Sequence, residues 1–254
     1  MTGLLGSLQI TGTHVAALLL TVLALLLLFL LIARARAGHR PHIRSLPPFD
    51  LLSAELGRSA ESGKPLHLTM GSGGLGGDRT LASLAALEIL EGLADAAVAY
   101  GMVPLVTVGD PTLLPLAEDV LRRAHIRRGI PDRYNPATVR FVAAQPATYA
   151  VGAADVIKHE RVRGNVVIGS FEEEVSLITC AGEGRGLLQA TATDRLQGLG
   201  ALYPADARLA VGEELYAGVA RLTGFPRHLA SLQVQDVLRF LLVAVIVLRV
   251  FGAF

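Results

Sequence analysis

Cysteine is almost absent from this chain: Cys180 stands alone among 254 residues. An intrachain disulfide is therefore excluded, which fits a reducing compartment. With no partner cysteine and no histidine nearby, Cys180 reads as a small core residue. Neither sign of charge is in excess. Lys and Arg number 23 against 22 Asp and Glu, a net charge of +1, so no nucleic-acid partner is expected. Several chemical signatures are missing too. Without a Gly-x-Ser-x-Gly elbow, Ser-His-Asp hydrolysis has no anchor. No Gly-Lys-Ser/Thr follows a glycine loop, so the P-loop pattern fails. His67, His159 and His228 are isolated and lack metal-site spacing. No catalytic or metal-binding residue is assigned, and the cofactor is left unknown.

What the chain has in quantity is apolar surface. Hydrophobic residues make up 52% and aromatics only 5%, and the mean hydropathy is +0.49. The excess lies at the two ends. Residues 15–32, VAALLLTVLALLLLFLLI, carry no charge and as a helix can cross a hydrocarbon core of ~30 Å. A cleaved signal peptide would carry a basic segment before a shorter apolar core. Here no Lys or Arg precedes the run and ARARAGHR follows it, so an uncleaved anchor is expected. Arg34, Arg36, Arg40 and Arg44 all follow the run. They suit the anionic head groups of the lipid bilayer, and the positive-inside rule places them in the cytoplasm. His39 and His42 fall in the same basic linker and read as exposed rather than as a metal pair.

The second apolar run is Val237–Phe254, with Arg239 at its cytoplasmic end and Arg249 near the outer one. A span at 234–254 is expected, a buried core helix being the alternative. The organisation that follows is an outer segment 1–14, a span 15–33, a linker 34–49, a cytoplasmic domain 50–232 and the second span. Both termini would then lie outside the plasma membrane.

Between the spans, short apolar runs alternate with helical patterns. The strands expected are Leu66–Met70, Pro104–Val108, Thr138–Val142, Asn165–Ile168, Leu187–Thr191 and Ala207–Val211, nearly continuous in apolar character as strands covered on both faces should be. Thr80–Tyr100 reads as a helix with Leu81, Leu84, Leu87, Leu90 and Leu93 on one side and Gly101 closing it. Asp110-Pro111 should open the next helix, Ser170 should cap another, and Gly212-Glu213-Glu214 should open the last. Asp50 should cap a short helix before the first strand. The fold class expected is α/β: a Rossmann-like, doubly wound, mostly parallel sheet flanked by the two transmembrane helices.

Ligands of such sheets bind beyond the carboxyl ends of the strands. The loops there offer Gly71, Ser72, Gly73, Gly74 and Gly76 after the first strand, then Asp110, Gln145, Ser170 and Glu213. Gly71-x-Gly73-x-x-Gly76 has the chemistry of a phosphate cradle. The dinucleotide fingerprint is incomplete, however: Asp110 lies well beyond the ~20-residue spacing of a ribose-binding acid, and Asp78 would repel a phosphate beside it. A tight turn without ligand is the competing reading. Arg122, Arg123, Arg127 and Arg128 around His125 read as a solvated helix end.

DARLAVGEELYAGVARL at 206–222, with the N-terminal anchor and TMGSGGLGG, resembles an uncharacterised prokaryotic family of membrane-anchored domains of unknown function. Its most specific piece is Gly212-Glu213-Glu214-Leu215-Tyr216. The resemblance implies an anchored α/β domain and no catalytic residue. Three functions fit these observations. The first is a non-catalytic ligand-binding or scaffolding component of a homo-oligomer. The second is a subunit of a larger membrane complex, and the third a nucleotide-dependent enzyme using the Gly71–Gly77 loop.

Overall fold

The computed structural model describes residues 12–39, 41, 43–202 and 208–251. Arg40, His42, the first eleven residues, the expected strand start at Ala207 and the last three residues lie outside that set. The chain divides into two compact units, one formed by the terminal helices and one running Ile43–Thr223.

In the second unit six strands, β1 Leu66–Gly71, β2 Leu105–Val108, β3 Val139–Phe141, β4 Gly164–Ser170, β5 Leu188–Thr193 and β6 Arg208–Val211, form one sheet. Every pairing is parallel, and the order is β3-β2-β1-β4-β5-β6. This is the doubly wound Rossmann-like arrangement, with its switch point between β1 and β4. Side chains alternate across each strand. Leu66, Leu68, Met70, Val106, Val166 and Ile168 face one core, shared with α2 Pro47–Ser62, α3 Thr80–Ala99, α4 Leu114–Arg127 and α8 Glu214–Thr223. Val167 faces the other, beside Tyr149, Ile157, Phe171 and Ile178 from the region of α5 Pro146–His159, α6 Val175–Glu183 and α7 Leu196–Leu202.

The second face carries a row of buried polar groups. His67 Nδ1 lies 3.1 Å from Asn165 Oδ1, and Nε2 lies 3.0 Å from Thr107 Oγ1. Asn165 Nδ2 donates to Gln189 Oε1 at 3.1 Å, and Gln189 Nε2 donates to the Thr179 carbonyl at 2.9 Å. One consistent direction satisfies all of them: the Thr107 hydroxyl donates to Nε2, Nδ1–H donates to Asn165, and so on across β2, β1, β4 and β5 to α6. Such a chain fixes strand register as well as satisfying each group. Burial pushes His67 down to about 4, with the Asn165 hydrogen bond opposing the shift and Arg140 adding to it.

Several local expectations need correcting. Leu81 and Leu84 are exposed at 66% and 43%, while Leu87, Leu90 and Leu93 are buried. A three-residue step falls about 60° short of a full turn, so a run of such steps rotates off the face. The buried stripe starts instead at Ala82, Ala86 and Ile89. Asp110-Pro111 does not open α4, which begins at Leu114. The Asp110 carboxylate accepts the Thr112 N–H at 2.8 Å and its hydroxyl at 2.5 Å, a side-chain turn of the kind that competes with helix. Ser170 is the buried last residue of β4 rather than a cap, and α6 starts at Val175. Cys180 is exposed, because α6 turns Val175, Ile178 and Thr179 inward instead. Elsewhere the punctuation is as expected. Gly101, at φ 74°, closes α3 in a Schellman turn, with Gly101 N–H on the Val98 carbonyl and Met102 N–H on that of Ala97. Asp50, by contrast, is not the cap of α2: Leu46 holds that position, and Asp50, inside the first turn, accepts Ser45 Oγ at 2.6 Å and reaches back to the Leu46 N–H at 3.1 Å.

The first unit holds α1 Gly12–Arg36 and α9 Pro226–Val250, which lie side by side. Each is long and apolar enough to cross a membrane, about 37 Å at 1.5 Å per residue. Leu19, Leu26, Phe29 and Phe240 stand exposed along them. Both helices outrun their apolar sequences: Arg34 and Arg36 occupy the last turn of α1, and α9 begins eleven residues before Val237.

Candidate functional site at the sheet switch point

The carboxyl ends of β1, β2 and β4 meet almost backbone to backbone. The Gly71 carbonyl accepts the Gly109 N–H at 3.0 Å, and the Gly71 N–H donates to the Tyr149 hydroxyl at 3.2 Å. That hydroxyl, fully buried, donates to the Thr107 carbonyl at 3.0 Å. Burial raises the Tyr149 phenol well above its ordinary range, keeping it a donor. Pairing of β1 with β4 shifts register between Thr69 and Gly71, which sets Gly71 opposite Ser170. Gly71 has φ 82°, and a Cβ there would stand 2.7 Å from the Ser170 carbonyl. No other residue type suits that position.

Beyond Gly71 the loop folds upon itself. In a dinucleotide site the helix opens inside the glycine run, and free N–H groups face the pyrophosphate. Here α3 begins at Thr80, four residues past Gly76. Leu75 N–H donates to Thr112 Oγ1 at 3.1 Å, and the N–H groups of Gly76 and Gly77 both donate to Thr80 Oγ1 at 3.0 Å. Gly73 packs against Arg79 and Ser83, and Gly74 closes on the Asp110 carboxylate.

Charged side chains then bridge the crevice. Arg79 donates to Ser72 Oγ at 3.1 Å and to Glu172 at 2.5 Å. Arg195, just beyond β5, donates to Ser170 Oγ at 3.2 Å and to Asp78 at 2.5 Å. Hydrogen bonding to Arg195 holds the Asp78 carboxyl below the usual carboxylate range, and Asp78 in turn raises Arg195. Glu174 accepts the Glu172 N–H at 3.1 Å and approaches Ser72 Oγ at 3.5 Å. Asp194 has a buried carboxylate oxygen with no partner among the described residues. Carboxylates thus outnumber guanidiniums at the switch point, a balance unfavourable to a pyrophosphate.

The structure brings Gly71, Ser72, Gly73, Gly74, Asp110 and Ser170 together. Gly76, at φ 98°, has open space around it. Glu213 is exposed in the turn after β6, the edge strand two removed from β4. Of the arginines read as interfacial, Arg44 ion-pairs with Glu214, Arg239 lies 3.4 Å from Asp236, and Arg249 sits in the last turn of α9. Three of the four arginines around His125 are paired with acids: Arg122 and Arg123 with Asp119, and Arg127 with Glu91 and Asp95. Arg128 meets the Asp95 carbonyl at 3.4 Å.

A family model described as "Domain of unknown function (DUF6754)" matches residues 7–253. The chain belongs to this family. No curated protein and no solved structure matches it. In this DUF6754 domain the GEELYAG segment has a structural role. Gly212 takes φ 57° to turn β6 into α8, Glu214 meets Arg44, Leu215 enters the core, and Gly218 leaves room for the ring of Phe49. The crevice residues missed by reading the sequence are Arg79, Tyr149, Glu172, Glu174, Asp194 and Arg195. Their one visible signal is that charged residues follow apolar strand ends directly, as in Thr193-Asp194-Arg195.

Proposed function

We propose that this DUF6754 protein is a membrane-anchored, non-catalytic binding or scaffolding module that works as a homo-oligomer, its α/β domain on the cytoplasmic face. The observation behind the binding part of this reading is the ionic clamp at the switch point. The hydroxyls of Ser72 and Ser170 each accept from a guanidinium, and carboxylates hold both guanidiniums in turn. Loops tied in this way suit a small, donor-rich or cationic ligand better than a dinucleotide. Anchoring by α1 and α9 is supported by their length and apolar character, and sidedness by the arginines that follow α1.

Two measurements test this. Calorimetry on the full chain in nanodiscs should find no NAD binding tighter than on the order of 100 µM. Submicromolar NAD binding would move the protein to the nucleotide-dependent enzyme reading, which the strand order favours. Light scattering on the same sample should give a protein mass above the 26.8 kDa of one chain. A monomer in both mild detergent and nanodiscs would remove the scaffold. A heteromeric complex isolated from native membrane would replace it with the subunit reading.

Sidedness can be read from the native chain, because its single cysteine is exposed on α6. A membrane-impermeant maleimide should leave Cys180 unmodified in intact cells and label it on lysis. Labelling before lysis would reverse the topology.

A further inference from the structure

A cavity of about 310 Å³ lies at the other edge of the sheet, where α3 and α4 end and the chain enters β2 and β3. Its construction is regular. Each helix closes in a Schellman turn, at Gly101 with φ 74° and at Gly129 with φ 71°. In the second, Gly129 N–H bonds the Ile126 carbonyl and Ile130 N–H that of His125, both at 3.0 Å. Both turns send their next apolar residue, Met102 or Ile130, back against the helix ends. Those two side chains with Val98 and Val103 make the walls. Two polar groups complete the lining, His125 and Arg133.

His125 is 1% exposed. Its Nδ1–H donates to the Leu121 carbonyl at 2.7 Å, and the edge-on ring of Tyr134, 5.7 Å away, packs beside it. The tautomer is thereby set, and Nε2 is left as an acceptor with no partner among the described residues. Arg133 is exposed, and its guanidinium makes no hydrogen bond or ion pair among those residues. A half-open pocket with apolar walls, one acceptor on a buried histidine and one unpaired cation has the composition of a small-molecule site, and its volume is at the small end of the ~300–1,000 Å³ range for such sites.

We propose that this cavity binds a small, mainly apolar carboxylate bearing a hydroxyl. The carboxylate would meet Arg133, the hydroxyl would donate to His125 Nε2, and the hydrocarbon body would fill the space between Met102 and Ile130. This site is separate from the switch point and does not depend on the reading given for it.

The test titrates 2-, 3- and 4-hydroxybenzoate, with benzoate as comparator, into the full-length protein in nanodiscs. At least one hydroxy acid should bind with a dissociation constant below about 1 mM and at least fivefold tighter than benzoate. Arg133→Met should weaken it tenfold or more. His125→Phe keeps a ring but lacks the acceptor, so it should bring the hydroxy acid to the affinity of benzoate. Val103→Trp, which fills the chamber, should abolish binding of both. Circular dichroism establishes that each variant is folded, and the exposed Arg133 gives a readout should His125→Phe fail to fold. Absence of binding by all three acids at 5 mM, or binding unchanged in Arg133→Met, would overturn the proposal. Benzoate binding as tightly as every hydroxy acid would overturn it equally.

Discussion

Lowering the pH from 6.5 to 4 is expected to cost the α/β unit about 3 kcal/mol of stability through His67 alone. His67 is held down to about 4 by burial, against 6.5 when the chain is unfolded. Between those values the unfolded chain binds a proton that the folded one refuses, so stability falls as pH falls. The contribution is complete above the unfolded value and is lost on the way down to the folded one. Asp50 and Asp78, both lowered from 3.8, lose their contributions below this window. The measurement is denaturant unfolding of the full chain in mild detergent, repeated across pH. His67→Gln can still donate to Asn165 and accept from Thr107, yet it has no proton to gain. Its stability should be nearly flat where the parent protein's declines. Parallel pH profiles in the two proteins would show that His67 is not neutral and buried as described.

The second large effect is expected from a single methyl group at the switch point. Gly71 and Gly76 both have positive φ, at 82° and 98°. Alanine at either position carries the backbone penalty of roughly 1–3 kcal/mol. At Gly71 the new Cβ would also stand 2.7 Å from the Ser170 carbonyl and 3.3 Å from its nitrogen, whereas at Gly76 it meets nothing within 4 Å. Gly71→Ala should therefore lose about 3–5 kcal/mol, and Gly76→Ala about 1 kcal/mol. Unfolding midpoints of the two variants separate the two contributions. Equal losses would mean that β1 and β4 do not approach as closely as described.

Much of this architecture is legible in the residues because its strands are covered on both faces. Leu66–Met70 and Asn165–Ile168 show as short apolar runs wherever the sheet is read, and their alternation with helices leads to the parallel order. The same rule conceals the buried polar row. His67, Thr107, Asn165 and Gln189 are scattered in the chain and become neighbours only through strand register. Read singly, His67 is an isolated histidine. The glycine loop shows the opposite problem. Its spacing matches a phosphate cradle, but the groups that occupy its N–H donors, Thr80 and Thr112, carry no signal of that role. Arg79 and Arg195 pair with acids 93 and 117 positions away, distances over which a sequence offers no guide. Leu81 and Cys180 mislead for a simpler reason, since a helix turns by 100° per residue and one position is enough to move from core to solvent.

The order in which a ribosome delivers this sheet matters for how it closes. The helix Pro47–Ser62 is synthesised before any strand, yet it lies over β5 and β6, the last strands made. Its Phe49 waits for Gly218, and its Asp50 is reached by Arg221, 171 residues later. The half built from β1, α3, β2, α4 and β3 can assemble during synthesis from near neighbours. Phe49 has to remain without its neighbour Gly218 until nearly the whole domain has emerged. Contacts of such long sequence separation slow the final step and lengthen the interval in which apolar side chains are open to chaperones or to other nascent chains.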